Sequence, residues 1–238
     1  LSEVAISVLD EADHMCDLGF LEPVQRILRA TAPGGQRLLF SATLDTAITA
    51  LIDEFLVEPA VHEVAGEDQS SSTIDHRLLV IDARRKREVI VDLLDGDHRA
   101  IVFTRTRAFA EMLAEHLEDE GIRTASLHGD LNQAKRNRNL ALLTGGRVRV
   151  LVATDVAARG IHVDNVPLII QADAPDEYKT YLHRAGRTGR AGARGTVVTL
   201  IGRRGKPRME ELLERAEIVA ETSDVAPGDA LLRELAAR

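Results

Sequence analysis

Tryptophan is absent from this 238-residue chain, and aromatic residues make up only 3% of it. Any contact with a nucleic acid must then rest on phosphates and sugars more than on bases stacked against rings. A single cysteine, Cys16, excludes an internal disulfide, and no Cys-x-x-Cys metal cluster occurs in the sequence. That usage fits a reducing, cytoplasmic compartment, and Cys16, on a predicted helix, is expected to be a small packing residue. No apolar run approaches membrane-spanning length. Leu1-Ser2-Glu3 carries neither an initiator Met nor a signal-peptide pattern, and it reads as a chain entered partway. Basic charge is short overall: the net charge is -8 and the pI is near 5.5. This argues against a histone-like or tail-driven binder but leaves room for one focused basic groove. His14, His62, His76, His98 and His116 share no face or metal-ligand spacing, so structural or surface roles are expected for them.

The basic residues that are present concentrate in one place. Between Arg184 and Arg208 lie eight of them and no Asp or Glu. At its head, His183-Arg184-Ala185-Gly186-Arg187-Thr188-Gly189-Arg190 sets Arg184, Arg187 and Arg190 three residues apart with glycines between. Such spacing lets guanidinium forks converge on phosphate oxygens, which Arg binds bidentately at any working pH. A solvated Arg-rich loop is the plain alternative.

With 45% hydrophobic residues the chain can bury a real core. Val4 to Leu9 and Arg37 to Phe40 are short apolar runs of the kind buried in parallel sheets, and residues 13–30 and Thr46 to Leu56 are predicted helices. The first run ends in Asp10-Glu11-Ala12-Asp13, the second in Ser41-Ala42-Thr43. Carboxylates at a strand's carboxyl end can hold a hydrated Mg²⁺ and polarise water, or they can simply cap the following helix. Both readings are open at this point.

Gly66 to Thr73 is polar, Ser-rich and without hydrophobic period, the best linker candidate. It divides a partial domain (1–65) from a linker (66–75) and a second domain (76–221), with residues 222–238, Ala- and Leu-rich after Pro227-Gly228, expected as a tail, either a loose helix or a frayed end. In the second domain strands at 76–82, 99–104, 123–127, 148–153, 166–171 and 195–201 mostly alternate with helices at 84–95, 106–120, 132–143, 176–186 and 206–220, a doubly wound α/β pattern with a mainly parallel sheet. Polar residues gather at strand ends: Thr104-Arg105-Thr106-Arg107, His128-Gly129-Asp130 and Thr154 to Gly160. Parallel strands share a direction, so these ends are expected on one rim together with the arginine cluster.

Asp10-Glu11-Ala12-Asp13, Ser41-Ala42-Thr43, Ala153 to Gly160 and His183 to Arg190 follow one another in a fixed order, with Leu127-His128-Gly129-Asp130, Gln133 and Arg136 between. In this the sequence resembles the DEAD-box RNA helicases, closest to the bacterial ones, over residues 4 to about 215. The resemblance implies RecA-like domains, three-layer α/β/α with parallel sheets, one partial and one complete. It also implies ATP and Mg²⁺ as cofactors and RNA, with little sequence specificity, as the partner. Asp10 would hold Mg²⁺ through water and Glu11 would activate the hydrolytic water; Asp13, Gly160 and His162 would belong to the nucleotide site. Arg187 and Arg190 would act on the γ-phosphate, with His183 and Arg184 positioning their loop. Ser41, Ala42, Thr43, Asp155, Arg159 and His183 would couple nucleotide state to RNA. Thr104, Arg105, Gly129, Gln133, Arg136 and Thr154 would line the RNA path.

Two departures stand out. Where the family has an Asp for the ribose hydroxyls, this chain has His162, which either makes an altered contact or is an ordinary surface histidine. No G-x-x-x-x-G-K-[ST] phosphate loop occurs, and the family keeps that loop upstream of its DEAD tetrapeptide. The expectation is therefore the later part of a longer helicase, not competent for hydrolysis alone. The alternative is a non-catalytic RNA-binding and protein-interaction module, and a DNA helicase of the same superfamily is a weaker third.

Overall fold

The computed structural model describes residues 1–62, 73–158, 163, 166–189 and 192–237. Two compact units divide the chain, Leu1–Glu63 and Val64–Arg238. Of the expected linker, positions 66–72 lie outside the described residues, and Ile74 and Asp75 already belong to a strand of the second unit.

The first unit pairs two short parallel strands, β1 (Ile6–Leu9) and β2 (Gln36–Leu39). Three helices accompany them: α1 (Ala12–Asp17), α2 (Leu21–Arg29) and α3 (Thr46–Phe55). The single helix expected over 13–30 is thus two, because Gly19 takes a left-handed φ of 78° that ends α1. Asp45 caps α3, its carboxylate accepting from the amides of Ala47 and Ile48. Ala12, Val24, Leu28, Ile48, Leu51 and Phe55 form the core on one side of the sheet. On the other side Ile6, Val8, Leu38 and Phe40 are exposed, since alternate residues of a strand point to opposite faces and, among the described residues of this unit, no helix packs on this one. Two strands with one bare apolar face hold little stability of their own.

The second unit is a sheet of seven parallel strands: β3 (Ile74–Val80), β4 (Ala100–Thr104), β5 (Thr124–Leu127), β6 (Val150–Thr154), β7 (Leu168–Gln171), β8 (Gly195–Ile201) and β9 (Glu221–Asp224). Their order is β5-β6-β4-β7-β8-β3-β9. Helices α4 (Lys86–Leu93), α5 (Arg107–Asp119) and α10 (Ala230–Ala236) pack on one face. Helices α6 (Gln133–Thr144), α8 (Tyr178–Ala185) and α9 (Lys206–Arg215) pack on the other, with the short α7 (Asp155–Ala158) after β6. Strand β4 shows why the sheet is covered on both sides: Ala100 and Val102 enter one core, Ile101 and Phe103 the other. The fold is a three-layer α/β/α sandwich of the RecA-like kind.

The segment expected as a tail, either a loose helix or a frayed end, does hold a helix, α10, but a packed one, and it is preceded by a strand, β9, that was not expected. The strand pairs with β3 from Arg77↔Glu221 to Val80↔Asp224, and α10 buries Leu232 and Leu235 in the core beside α4. It escapes a hydrophobic reading because Glu221-Thr222-Ser223-Asp224 is a polar edge strand, held by backbone pairing and by the Arg77–Glu221 ion pair.

His76, expected as surface or structural, is structural. It lies buried in β3 with Nδ1 2.8 Å from the Tyr181 hydroxyl of α8. Burial pulls its pKa down to about 4, against a smaller opposing pull from Asp75. The folded unit thus keeps His76 neutral while the unfolded chain protonates it near the ordinary value of 6.5. Its contribution is whole above that value and is lost as pH falls towards 4, and the loss reaches about 2 kcal/mol by pH 5. Urea midpoints measured across that range should fall with pH in the parent, and the part due to this residue should vanish in His76→Gln; parallel curves would refute the assignment.

Candidate functional site

In the first unit the two strand ends meet. Phe40 accepts through its carbonyl from the Ala12 amide at 3.0 Å, so the DEAD turn is held on the end of β2. Asp13 is buried; its amide donates to Ser41 Oγ at 3.3 Å and its carboxylate accepts from Thr43 Oγ1 at 3.1 Å. Ser41 Oγ in turn donates to the Thr43 carbonyl at 2.7 Å. Asp13, Ser41 and Thr43 are thereby one hydrogen-bonded unit, while Ala42 is exposed at its edge. Asp10 and Glu11 are exposed at the carboxyl end of β1, and Glu11 sits in the left-handed region at φ 49°. A non-glycine residue there is strained by about 1–3 kcal/mol, and the sharp turn it makes separates the two carboxylates from the buried Asp13.

In the second unit the carboxyl ends of β5, β6 and β4 do share one rim. Thr104 and Thr154 are register partners at the ends of β4 and β6. Both are buried, and Thr104 Oγ1 donates to the Thr106 carbonyl at 3.3 Å, so Thr104 shapes the rim from beneath. Arg105 is exposed, held by its amide on Asp173 (2.9 Å) and by its guanidinium on Asp176 (3.1 Å). Gly129 and Gln133 are exposed beyond β5. Arg136 of α6 donates to the Ala157 carbonyl at 3.1 Å and so ties α6 to the segment after β6. His128 is buried with Nε2 3.1 Å from Glu111.

The arginine cluster does not converge as its spacing suggests. Arg184 is 3% exposed, and its guanidinium forks onto Asp155 at 2.7 and 2.8 Å. It also donates to Gln171 Oε1 (3.1 Å) and the Asp173 carbonyl (2.7 Å), and it lies 5.2 Å from the Phe103 ring centre. This buried clamp joins α8 to the ends of β4, β6 and β7, and it is not available to a ligand. Nor does the cluster share the rim as a whole. Gly189 and Thr188 lie against Ile74 and Gly195, the first residues of β3 and β8, and the Arg187 carbonyl accepts from Val166, just before β7. The physical reason is the crossover: a helix between parallel strands must carry the chain back to the amino edge. Arg187 therefore stands near the opposite edge from Arg105, its Nε reaching the His183 carbonyl at 3.4 Å. Gly195 has no alternative there, since a Cβ would sit 1.8 Å from Thr188 Oγ1. Arg159, Gly160, His162 and Arg190 lie outside the described residues.

Sequence reasoning passed over Asp173. It binds Lys86 Nζ at 2.7 Å and the Arg105 amide, fixing the approach of β4 and β7 to the rim. Its only signal was its place at the end of an apolar run, shared with Thr104 and Thr154. Among the described residues no group of three or more His, Cys, Asp or Glu could hold a metal, and no helix is long and apolar enough to cross a membrane.

Comparison with known proteins matches residues 1–51 to the DEAD/DEAH box helicase family and residues 85–192 to the helicase conserved C-terminal domain. Escherichia coli SrmB, solved bound to regulator of ribonuclease activity A, is 37% identical; the match covers 90% of that chain and 63% of this one, with a TM-score of 0.59. The chain belongs to the DEAD-box helicase family. The ATP-dependent RNA helicase RhlB of Shewanella baltica is 39% identical over 203 residues, 84% of this chain and 46% of that protein. Saccharomyces cerevisiae Dbp5 bound to RNA and ADP BeF3 is 26% identical, with a TM-score of 0.82 over 99% of this chain and 64% of that one. This DEAD-box chain spans about half the length of the curated relatives it matches.

Proposed function

We propose that the whole protein is an ATP-dependent RNA helicase and that this chain carries part of its nucleotide-handling groups and one RNA-contacting rim. The single observation that carries this reading is the rim of the second unit, where Arg105, Gly129, Gln133 and Arg136 surround the paired ends of β4 and β6. Exposed donors and a bare backbone at a parallel sheet's carboxyl edge suit a sugar-phosphate chain, with no aromatic platform for bases. Thr104 and Thr154 shape this surface rather than touch the strand. That RhlB is named an ATP-dependent RNA helicase supports RNA over DNA.

The nucleotide roles follow the family resemblance. Asp10 is exposed and a single carboxylate, which fits Mg²⁺ because that ion keeps several of its waters. When bound, Mg²⁺ would neutralise charge on the phosphates. Glu11 would take a proton from the attacking water, and Arg187 and Arg190 would stabilise charge on the γ-phosphate. Gly160 and His162 would approach the ribose. Asp13 with Ser41, Ala42 and Thr43, and Asp155 with Arg159 and His183, would relay the state of the nucleotide to the RNA. The chain has no phosphate loop to cradle the β- and γ-phosphates, so its share of the ATP site is partial. A cytoplasmic setting is part of the same reading, in keeping with the single cysteine, Cys16.

RNA-stimulated phosphate release tests it. The whole protein should turn over, this chain alone should not, and Glu11→Gln in the whole protein should cost about 10²–10⁴ in rate without loss of RNA affinity. Turnover by this chain alone, or by Glu11→Gln at the parent rate, would overturn these roles. Retention of RNA by the chain without turnover is also what a binding module would show, and the whole protein separates the two.

A further inference from the structure

Beside the rim, and sharing Arg105 with it, the carboxyl ends of β7, β8 and β3 open into a groove of about 810 Å³ that none of the residues read as ATP-binding or catalytic lines. Its floor is apolar, made by Phe109, Met112 and Met209 of α5 and α9. Met112 is an exposed apolar side chain on α5, next to the buried Leu113. The walls are basic. Arg84, Lys86, Arg87, Arg105 and Arg208 face only two carboxylates, Asp173 and Asp176, leaving a local excess of +3 on a chain whose net charge is -8. Those two carboxylates are already engaged, Asp173 by Lys86 and Asp176 by Arg105 and Arg208. Among the described residues Arg84 and Arg87 make no ion pair, and both are exposed.

We infer that this groove is a docking site for a short acidic, amphipathic segment of a partner protein, apolar side chains on the floor and carboxylates against Arg84 and Arg87. Charge complementarity selects the sign of the occupant, and the floor selects its chemistry. A phosphodiester backbone fits less well. It would place its charges over Asp173 and Asp176 and leave Phe109, Met112 and Met209 without apolar partners, whereas a peptide offers amide donors to the carboxylates and side chains to the floor. Phe109 is held from one side by Lys86, 5.5 Å from the ring centre, which fixes the ring in the floor.

The test is selection from a phage-displayed library of random peptides of about twelve residues against the whole chain, followed by polarisation measurements on the recovered peptides. Recovered binders should combine Asp or Glu with Leu, Phe or Met. Their affinity should fall about tenfold or more in Arg84→Glu/Arg87→Glu and, independently, in Met112→Asp, while affinity for a single-stranded RNA oligonucleotide changes less than about twofold. All three substitutions fall at exposed positions, and Arg84→Ala/Arg87→Ala should give the same direction with a smaller loss. Binders that lack carboxylates, or that bind both variants as well as the parent, overturn the inference. A loss of RNA affinity matching the loss of peptide affinity also overturns it, and assigns the groove to the nucleic-acid path.

Discussion

Arg184→Ala should lower the stability of the second unit by about 3 kcal/mol, because it leaves the Asp155 carboxylate facing a site built for a guanidinium. Five contacts disappear at once: both arms of the fork on Asp155, the bonds to Gln171 and to the Asp173 carbonyl, and the approach to the Phe103 ring. Lysine should rescue little of this. An ammonium group has three donors and no planar fork, so it cannot bind both oxygens of Asp155 side by side and also reach Gln171 and the Asp173 carbonyl. Removing both charges together, in Arg184→Met/Asp155→Leu, should recover much of the loss, since an unpaired buried charge costs more than an absent pair. Chemical denaturation of the parent, both single variants and the double variant measures this directly. If Arg184→Ala unfolds at the parent's denaturant concentration, the clamp is not what holds α8 to the strand ends.

A comparable effect is expected at the far end of the chain. Leu232 is fully buried and Leu235 nearly so, both between α10 and α4. Leu232→Ala should cost about 3 kcal/mol, and removing everything after Ala220 should leave the second unit without a cooperative transition. The truncation uncovers the β3 edge and exposes Leu79, Ile81, Leu93 and Leu94, which share that core. Thermal melting of the truncated chain decides the matter. A transition near that of the parent would mean that residues 221–237 add little to the fold, as a loose tail would.

What the sequence made legible, and what it did not, divides along physical lines. Strands β4, β6 and β8 were readable because burial on both faces demands unbroken apolar runs, and the sheet gives them nowhere polar to point. The break at Gly19 was not, since Leu18 and Phe20 continue an apolar period that a helix could also use. Strand β9 was invisible for the opposite reason: an edge strand can be stabilised by its backbone ladder alone. In the candidate site, the sequence placed Asp13 and the segment from Ser41 to Thr43 each at the end of a strand, but that the two strands are neighbours, so that the groups bond, is shown only by the fold. The fate of Arg184 did not follow. Spacing shows that three guanidinium groups are near one another along the chain, but only the fold shows that the first is enclosed by Asp155 and Gln171 at the ends of β6 and β7 while the second is carried to another edge.

The return of α8 from one edge of the sheet to the other has a consequence for how this region tolerates change. Its eight residues span about 12 Å. Its last turn fixes Arg184 inward, and Arg187, two residues beyond the helix end, is delivered to the amino edge, where its carbonyl accepts from Val166. Lengthening the helix by a single residue between these arginines would swing the second by about 100° about the axis and push it outward by about 1.5 Å. The interval between them is thus a ruler and a protractor at once, and a change in chain length is expected to be tolerated better on either side of it than within it.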